Sequence, residues 1–125
     1  MVVDGANVVG SRPDGWWRDR PGAARRLAQR LVDALDGPGA HPHVHLVLEG
    51  AAARATDLPS HPGLTVVRAP ADGDAAIVER AVELGGTGVV VVTADRGLRV
   101  RVRAVGATTT GPRALLDTVS EPPTG

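Results

Sequence analysis

Apolar residues in this chain occur in short runs, and three of these runs end directly in a carboxylate. They are Met1–Val3 before Asp4, Val44–Leu48 before Glu49, and Val89–Ala94 before Asp95. Short β-branched runs bounded by glycine and turn residues are typical of buried strands in a parallel sheet. Ligands of such sheets bind beyond the carboxyl ends of the strands, so the three acids are expected at one site.

The apolar spacing along the rest of the chain predicts further strands and the helices that connect them. Strands are expected at Met1–Val3, Val44–Leu48, Leu64–Val67, Gly88–Val92 and Ala107–Thr110, a turn-rich loop at Gly10–Gly22, and helices at Ala24–Leu35, Ala75–Leu84, Leu98–Val105 and Arg113–Val119, with a short helical turn possible within Ala51–Gly63. Leu98–Val105 also alternates like a strand. We predict a helix there, because a crossover must follow a parallel strand and Asp95 can cap it. The order of elements predicts an α/β fold, a three-layer α/β/α sandwich with a mostly parallel five-stranded sheet.

Length and composition narrow the range of functions. A chain of 125 residues forms one domain, which we expect to span residues 1–119, with 120–125 as a disordered tail. The formal net charge is zero, which argues against a protein that binds nucleic acid over its whole surface but permits a local basic rim. The absence of cysteine excludes disulfide, zinc–thiolate and thiol chemistry. No run approaches the roughly 18 apolar residues of a membrane span, and no secretory signal precedes the first strand, so we expect a soluble cytoplasmic protein.

Five acids are candidates for a metal site, namely Asp4, Glu49, Asp72, Asp74 and Asp95. Two carboxylates about 4 Å apart repel by roughly 4 kcal/mol at an effective dielectric of 20, so several together call for a cation or for protonation. Oxygen ligands of this type select Mg²⁺ or Mn²⁺ over Zn²⁺. The alternative is that each acid only caps a helix, which is a stronger explanation for a single Asp than for the whole set.

Several segments resemble the NYN subgroup of the PIN-like nucleases. The opening motif is Val3-Asp4-Gly5-Ala6-Asn7-Val8, the helix-opening acid is in Asp74-Ala75-Ala76-Ile77, the late-strand motif is Val92-Thr93-Ala94-Asp95-Arg96, and Val47-Leu48-Glu49-Gly50 lies where many relatives end a strand in Asp-Gly. The resemblance covers nearly the whole chain. It implies a ribonuclease dependent on Mg²⁺ or Mn²⁺, with strand one at the centre of the sheet.

The same resemblance assigns roles to individual residues of this chain. It implies that Asp4, Asp74 and Asp95 are the core metal ligands and that Asn7 and Thr93 position ligands or water. Glu49 and Asp72 are added as further candidate ligands, because Glu49 replaces the commoner Asp and Asp72 could replace or assist Asp74.

A tryptophan pair lies in the predicted loop after the opening motif. Trp16 and Trp17 are flanked by Arg12, Arg18 and Arg20. One interpretation is a base-stacking platform for single-stranded RNA, with arginines for the phosphates. The other is a hydrophobic lid that packs on the sheet or on a second subunit. Packing on a second subunit would make the protein a homodimer. We also expect Arg96 to contact substrate, because it directly follows Asp95.

Two further groups of residues have an ordinary explanation. His41, His43 and His45 alternate and could form a soft-metal site, but they lie at the start of a strand, opposite the acidic end, where a solvated strand entrance is expected. Arg99 and Arg103 could line a substrate groove, although a solvated helix face explains them as well.

Three functions remain open at this point. The first is a metal-dependent ribonuclease. The second is a nucleoside triphosphate pyrophosphohydrolase, although the sequence has neither a Nudix-like Glu-rich box nor an all-helical pattern of acids. The third is a non-catalytic RNA- or metal-binding module with the same fold, which the zero net charge keeps open.

Overall fold

A five-stranded parallel sheet forms the centre of the protein. In the computed structural model, which describes residues 1–11 and 15–119, the strands are β1 Val2–Asp4, β2 Val44–Glu49, β3 Leu64–Ala69, β4 Val90–Val92 and β5 Thr108–Thr110. Their order in the sheet is β3-β2-β1-β4-β5, and every pair is parallel. The predicted α/β fold is confirmed, and β1 lies at the centre of the sheet. The expected tail at 120–125 lies outside the described residues.

Helices cover both faces of this sheet. They are α1 Gly5–Gly10, α2 Arg20–Leu35, α3 Gly73–Glu83, α4 Arg96–Ala104 and α5 Pro112–Val119, with short 3₁₀ helices at Trp16–Arg18 and Gly50–Arg54. Alternation along β2 sends Leu46 and Leu48 into a core with α1, α2 and α5, and Val47 into a second core with α3 and α4. The three layers therefore follow directly from the period-two pattern of the strands.

The strand register decides which face carries the polar residues. Asp4 of β1 is paired with Val47 of β2, whose side chain lies in the core beneath α3 and α4. Glu49 lies two residues beyond Val47 and therefore projects from the same face. Thr93 likewise lies two residues beyond Val91, another member of that core. Asp4, Glu49 and Thr93 thus share the face that α3 and α4 cover.

The sequence pattern predicted neither helix α1 nor the 3₁₀ helix Trp16–Arg18, which lies within the expected loop Gly10–Gly22. Helix α1 begins immediately after β1, and Asp4 caps it by accepting a hydrogen bond from the Asn7 amide. This close start depends on Gly5, because a Cβ there would lie 2.6 Å from the Val47 carbonyl oxygen. The helix is too short and too rich in glycine to show helical periodicity.

The ambiguous segment after β4 is a helix, as expected. Asp95 caps α4 by accepting a hydrogen bond of 2.8 Å from the Leu98 amide. Leu98 and Val102 are buried on the sheet, whereas Val100 is 66% exposed. This pattern has the helical period, and the helix predicted after β4 is confirmed.

None of the helices described for residues 1–11 and 15–119 is long and apolar enough to cross a membrane.

Candidate functional site

Asp4 is the most buried acid at the carboxyl end of the sheet. It is 7% exposed, and its two oxygens accept hydrogen bonds from the Asn7 amide at 3.2 Å and the Thr93 hydroxyl at 2.9 Å. Burial raises the pKa of the Asp4 carboxyl, and the negative charges of Asp74 and Glu49 raise it further, whereas the two hydrogen bonds lower it. The charged form of Asp4 is therefore disfavoured overall, despite its two donors.

Thr93 and Asn7 tie the parts of the site together. The Thr93 hydroxyl donates to Asp4 and also accepts a hydrogen bond of 3.1 Å from the Asp95 amide. The Asn7 side-chain oxygen accepts a hydrogen bond of 2.8 Å from the Ala94 amide. Both residues therefore connect β1 or α1 to the loop that leads into α4. These hydrogen bonds fix the Asp4 carboxyl and the backbone before Asp95.

Two acids of the site come from the first residues of α3 and its cap. Asp72 caps the helix by accepting a hydrogen bond of 3.1 Å from the Ala75 amide. Asp74 lies in the first turn, and burial raises the pKa of its carboxyl, as do the charges of Asp95, Glu49 and Asp72. Each of these acids is thus within electrostatic range of Asp74, although Glu49 and Asp95 are far from it in the sequence.

Glu49 links the end of β2 to the start of α3. One of its carboxylate oxygens accepts a hydrogen bond of 2.9 Å from the Gly73 amide. A Cβ at position 73 would lie 2.6 Å from that oxygen, so a larger residue there would displace the Glu49 carboxylate from its present position. Glu49 therefore positions the helix that carries Asp74.

In the part of the chain that the structure describes, no ion pair neutralises the acids at this end of the sheet. Among residues 1–11 and 15–119, none of the five candidate acids forms an ion pair, and the salt bridge found there is His61–Asp36. Within the same residues, no group of three or more His, Asp or Glu side chains is close enough together to hold one metal ion. The acids thus share one electrostatic environment without forming a closed cage.

The expected substrate residues fall into different settings. Trp16 is half-buried, Trp17 is 53% exposed, and their rings meet edge to face with 6.1 Å between centroids. The Arg18 guanidinium lies 5.9 Å from the centre of the Trp17 ring, and Arg96 is exposed on the first turn of α4. Arg12 lies outside the described residues.

The histidines lie at the opposite end of the sheet. His41 and His43 are exposed, as expected for a strand entrance, but for His45 that expectation is wrong, because this side chain is only 9% exposed. Burial is the largest cause that lowers the pKa of His45 to about 4, and the neighbouring charges of His43 and Arg80 contribute to the same shift. The reason is its place inside the sheet, where it pairs with Val2 of the central strand.

Several structural roles were not visible in the sequence. Arg101 of α4 is the basic residue whose charge lowers the pKa of Asp74, and it was not among the expected site residues. Arg99 donates to the Thr93 carbonyl at 2.8 Å, and Arg103 donates to the Thr109 hydroxyl at 2.8 Å. The last two therefore fasten α4 to the sheet. Arginines spaced along one helix gave no signal that distinguished these roles.

The fold and site together define an α/β/α sandwich with acids at the carboxyl end of a parallel sheet. Two crystal structures of Rae1 (YacP) from Bacillus subtilis have this fold. The match to one of them covers 95% of this chain and 72% of the Rae1 chain, with 21% sequence identity and a TM-score of 0.76. The other, a tryptophan-to-leucine mutant of the same protein, covers 95% and 73%, with 22% identity and a TM-score of 0.70. No family model and no curated protein sequence matches the chain.

Proposed function

We propose that this protein is a ribonuclease that depends on Mg²⁺ or Mn²⁺ and hydrolyses phosphodiester bonds of single-stranded RNA. The observation that carries the proposal is the environment of Asp4 and Asp74, whose pKa values are raised by burial and by neighbouring acids. Perturbed carboxylates in such a position are typical of functional sites. The fold shared with Rae1 and the resemblance to NYN nucleases support the same conclusion.

The donors at this end of the sheet fit a hard divalent cation. They are carboxylate oxygens, and they lack an ion-pair partner within residues 1–11 and 15–119. Mg²⁺ is commonly held by one or two carboxylates together with water and substrate phosphate, so a closed set of three protein ligands is not required. One or two of the core acids, Asp4, Asp74 and Asp95, would hold the ion together with water and phosphate, and Glu49 and Asp72 complete this acid cluster. Such an ion supplies charge for the scissile phosphate and makes a water molecule more acidic.

The remaining residues of the site keep these acids in position. Thr93 fixes Asp4 through its hydroxyl and receives the Asp95 amide on the same oxygen. The Asn7 side-chain oxygen accepts a hydrogen bond from the Ala94 amide, which ties the loop before Asp95 to α1. Asp95 uses one oxygen to cap α4, and its exposed side chain can offer the other to a ligand. Thr93 and Asn7 are therefore positioning residues.

A second candidate function is a non-catalytic module that binds RNA or a metal. It is favoured by the lack, among the described residues, of three acids close enough to hold an ion and by the zero net charge of the chain. A nucleoside triphosphate pyrophosphohydrolase is the third, and the same acid cluster would serve it. The two enzymes differ in substrate, so one assay distinguishes them.

The experiment measures the melting temperature with and without Mn²⁺ for the parent and for Asp95→Asn. Asparagine keeps the helix cap but removes the charge, so the variant changes the site without removing the start of α4. Mn²⁺ is expected to raise the melting temperature of the parent, because a ligand of the folded state stabilises it, and to raise that of Asp95→Asn less. The matched control is Asp33→Asn, an exposed acid on α2, which should respond like the parent.

Substrate assays complete the test. The metal-loaded parent is incubated with single-stranded RNA and, separately, with nucleoside triphosphates. If the protein cleaves RNA and does not hydrolyse nucleoside triphosphates, the proposal is supported. Hydrolysis of triphosphates alone identifies a pyrophosphohydrolase, and metal binding without either reaction identifies the binding module. A parent whose melting temperature is the same with and without Mn²⁺ would show that the proposed metal site is wrong.

A further inference from the structure

An open pocket adjoins the acid cluster on the side of the tryptophans. Its volume is about 270 Å³, and it lies between α1, the 3₁₀ helix Trp16–Arg18, the start of α2 and the end of β2. Val9 and Leu48 contribute apolar surface, Trp16 an aromatic ring, and Arg20 and Glu49 the charged groups. Glu49 also contacts the start of α3, since its carboxylate accepts a hydrogen bond of 2.9 Å from the Gly73 amide, next to Asp74. The pocket therefore opens beside the candidate catalytic site.

The two tryptophans differ in their relation to this pocket. Trp16 lines it, and the Trp16 ring lies 3.6 Å from the position that a Cβ of Gly10 would occupy, at the end of α1. The Arg20 guanidinium lies 5.5 Å from the centre of the Trp16 ring, so a cation and an aromatic ring are held together at the pocket. Trp17 is 53% exposed and is not part of the lining. Trp16 is thus the tryptophan placed to stack a ligand.

We propose that this pocket binds one unpaired nucleobase of the RNA strand that is cleaved at the acid cluster, an inference that rests on the proposed function. Single-stranded RNA is recognised by stacking bases on aromatic side chains and by pairing phosphates with arginine. Trp16 supplies the stacking surface, and Arg20 supplies the positive charge for an adjoining phosphate. A volume just below that of pockets for drug-sized ligands fits one planar base better than a longer segment.

Fluorescence tests the pocket without any need for catalysis or metal. The chain has two tryptophans and no tyrosine, so Trp17→Phe leaves Trp16 as the sole strong fluorophore. In the presence of a chelator, adenosine monophosphate is expected to quench Trp16 emission with saturation. Ribose 5-phosphate, which lacks the base, should leave the emission unchanged. The reciprocal variant Trp16→Phe, which reports on Trp17, should show no saturable quenching.

RNA cleavage kinetics provide the second measurement. Loss of one base stack is worth about 1–3 kcal/mol, so Trp16→Leu should raise KM for single-stranded RNA by about 5- to 150-fold while kcat changes little. Trp17→Leu should raise KM less than Trp16→Leu does. A circular dichroism spectrum and melting curve for each variant establish that it is folded.

The outcomes separate this inference from the proposed function. Saturable quenching by adenosine monophosphate in a protein that cleaves no RNA supports the base pocket and overturns the nuclease. A protein that cleaves RNA, but whose Trp16 emission is unchanged by the nucleotide, overturns the pocket and leaves the nuclease intact. Equal quenching by ribose 5-phosphate also contradicts the inference, because the base would then contribute nothing.

Discussion

Both ends of the sheet contain buried ionisable groups, but the free-energy cost of burying a charge is removed in a different way at each end. At the amino end, His45 has its pKa lowered to about 4 and is therefore neutral at pH 7. At the carboxyl end, burial and neighbouring acids raise the pKa values of Asp4 and Asp74, but from an ordinary value of about 4, which is well below pH 7. His45 thus avoids the free-energy cost of a buried charge by losing a proton.

This difference explains why the acid end is the better candidate for function. Burial alone does not distinguish the two ends, because both contain a group whose charged form is disfavoured. What differs is whether the protein itself can remove the cost. At the carboxyl end, neighbouring acids raise the pKa of Asp4 and of Asp74, and a bound cation would relieve both carboxylates at once. A perturbed pKa therefore indicates function best where the side chain cannot easily take its neutral form.

The strongest test of this comparison is Asp74→Asn. We expect at least about a 100-fold loss of RNA cleavage in Mg²⁺, as is usual when metal coordination is impaired. In a chelator, the same variant should melt at a higher temperature than the parent at pH 7. The pKa of Asp74 in the folded state lies above its unfolded value, so stability is lost as the pH rises through that window, and Asn avoids the loss.

A matched control for this variant is Glu79→Gln, an exposed acid on the same helix. It should retain parental cleavage and parental melting temperature. If Glu79→Gln and Asp74→Asn lose cleavage equally, the helix rather than the carboxyl of Asp74 is responsible, and the comparison of the two ends fails.

The histidine end is tested by the pH dependence of His45→Leu. The pKa of His45 is lower in the folded state than in the unfolded state, so the unfolded chain binds more protons as the pH falls from about 6.5 to about 4. The parent should lose up to about 3 kcal/mol of unfolding free energy over this range relative to the variant. Urea denaturation at a series of pH values measures the difference.

The control for the histidine experiment is His41→Gln, because His41 is exposed. This variant should follow the parent at every pH. A stability difference between parent and His45→Leu that does not change with pH would show that His45 is not held neutral by the fold.

The smallest effect is expected for Thr93→Val, which keeps the shape of a fully buried side chain. Asp4 loses a donor and the Asp95 amide loses an acceptor, which should cost about 1–3 kcal/mol of unfolding free energy. The pKa of Asp4 should also rise further, because the Thr93 hydrogen bond lowers it. Chemical denaturation is compared with Thr118→Val, an exposed threonine on α5, for which a change below about 0.5 kcal/mol is expected.

The strands and three-layer architecture could be predicted because buried parallel strands produce continuous β-branched runs. Val44–Leu48 lies within β2 and Leu64–Val67 within β3, whose ends the prediction missed by one or two residues. Helix α4 could be assigned despite its alternating sequence, since topology required a crossover after β4. Helix α1 could not, because six residues beginning and ending in glycine contain too few turns to show a period.

The site was predictable only in part, for a related reason. Residue type and position after a strand indicated that Asp4 and Asp95 lie at the carboxyl end of the sheet, and the cap of α4 by Asp95 was expected, but the cap of α1 by Asp4 was not. The contact of Glu49 with Gly73 depends on the approach of two distant elements, which no local pattern encodes. The burial of His45 similarly follows from its pairing with the central strand and not from its neighbours in the sequence.

The central position of β1 also has a consequence for synthesis of the chain. Its two neighbours come much later, since Val2 is paired with both His45 and Val91. Asp4 and Thr93, which share a hydrogen bond, are 89 positions apart. At 5–20 residues per second, a ribosome needs roughly 4–18 s to cover that interval. A nascent chain therefore carries an incomplete site throughout that time, and any cutting activity would begin only once β4 has been made and has reached its place beside β1.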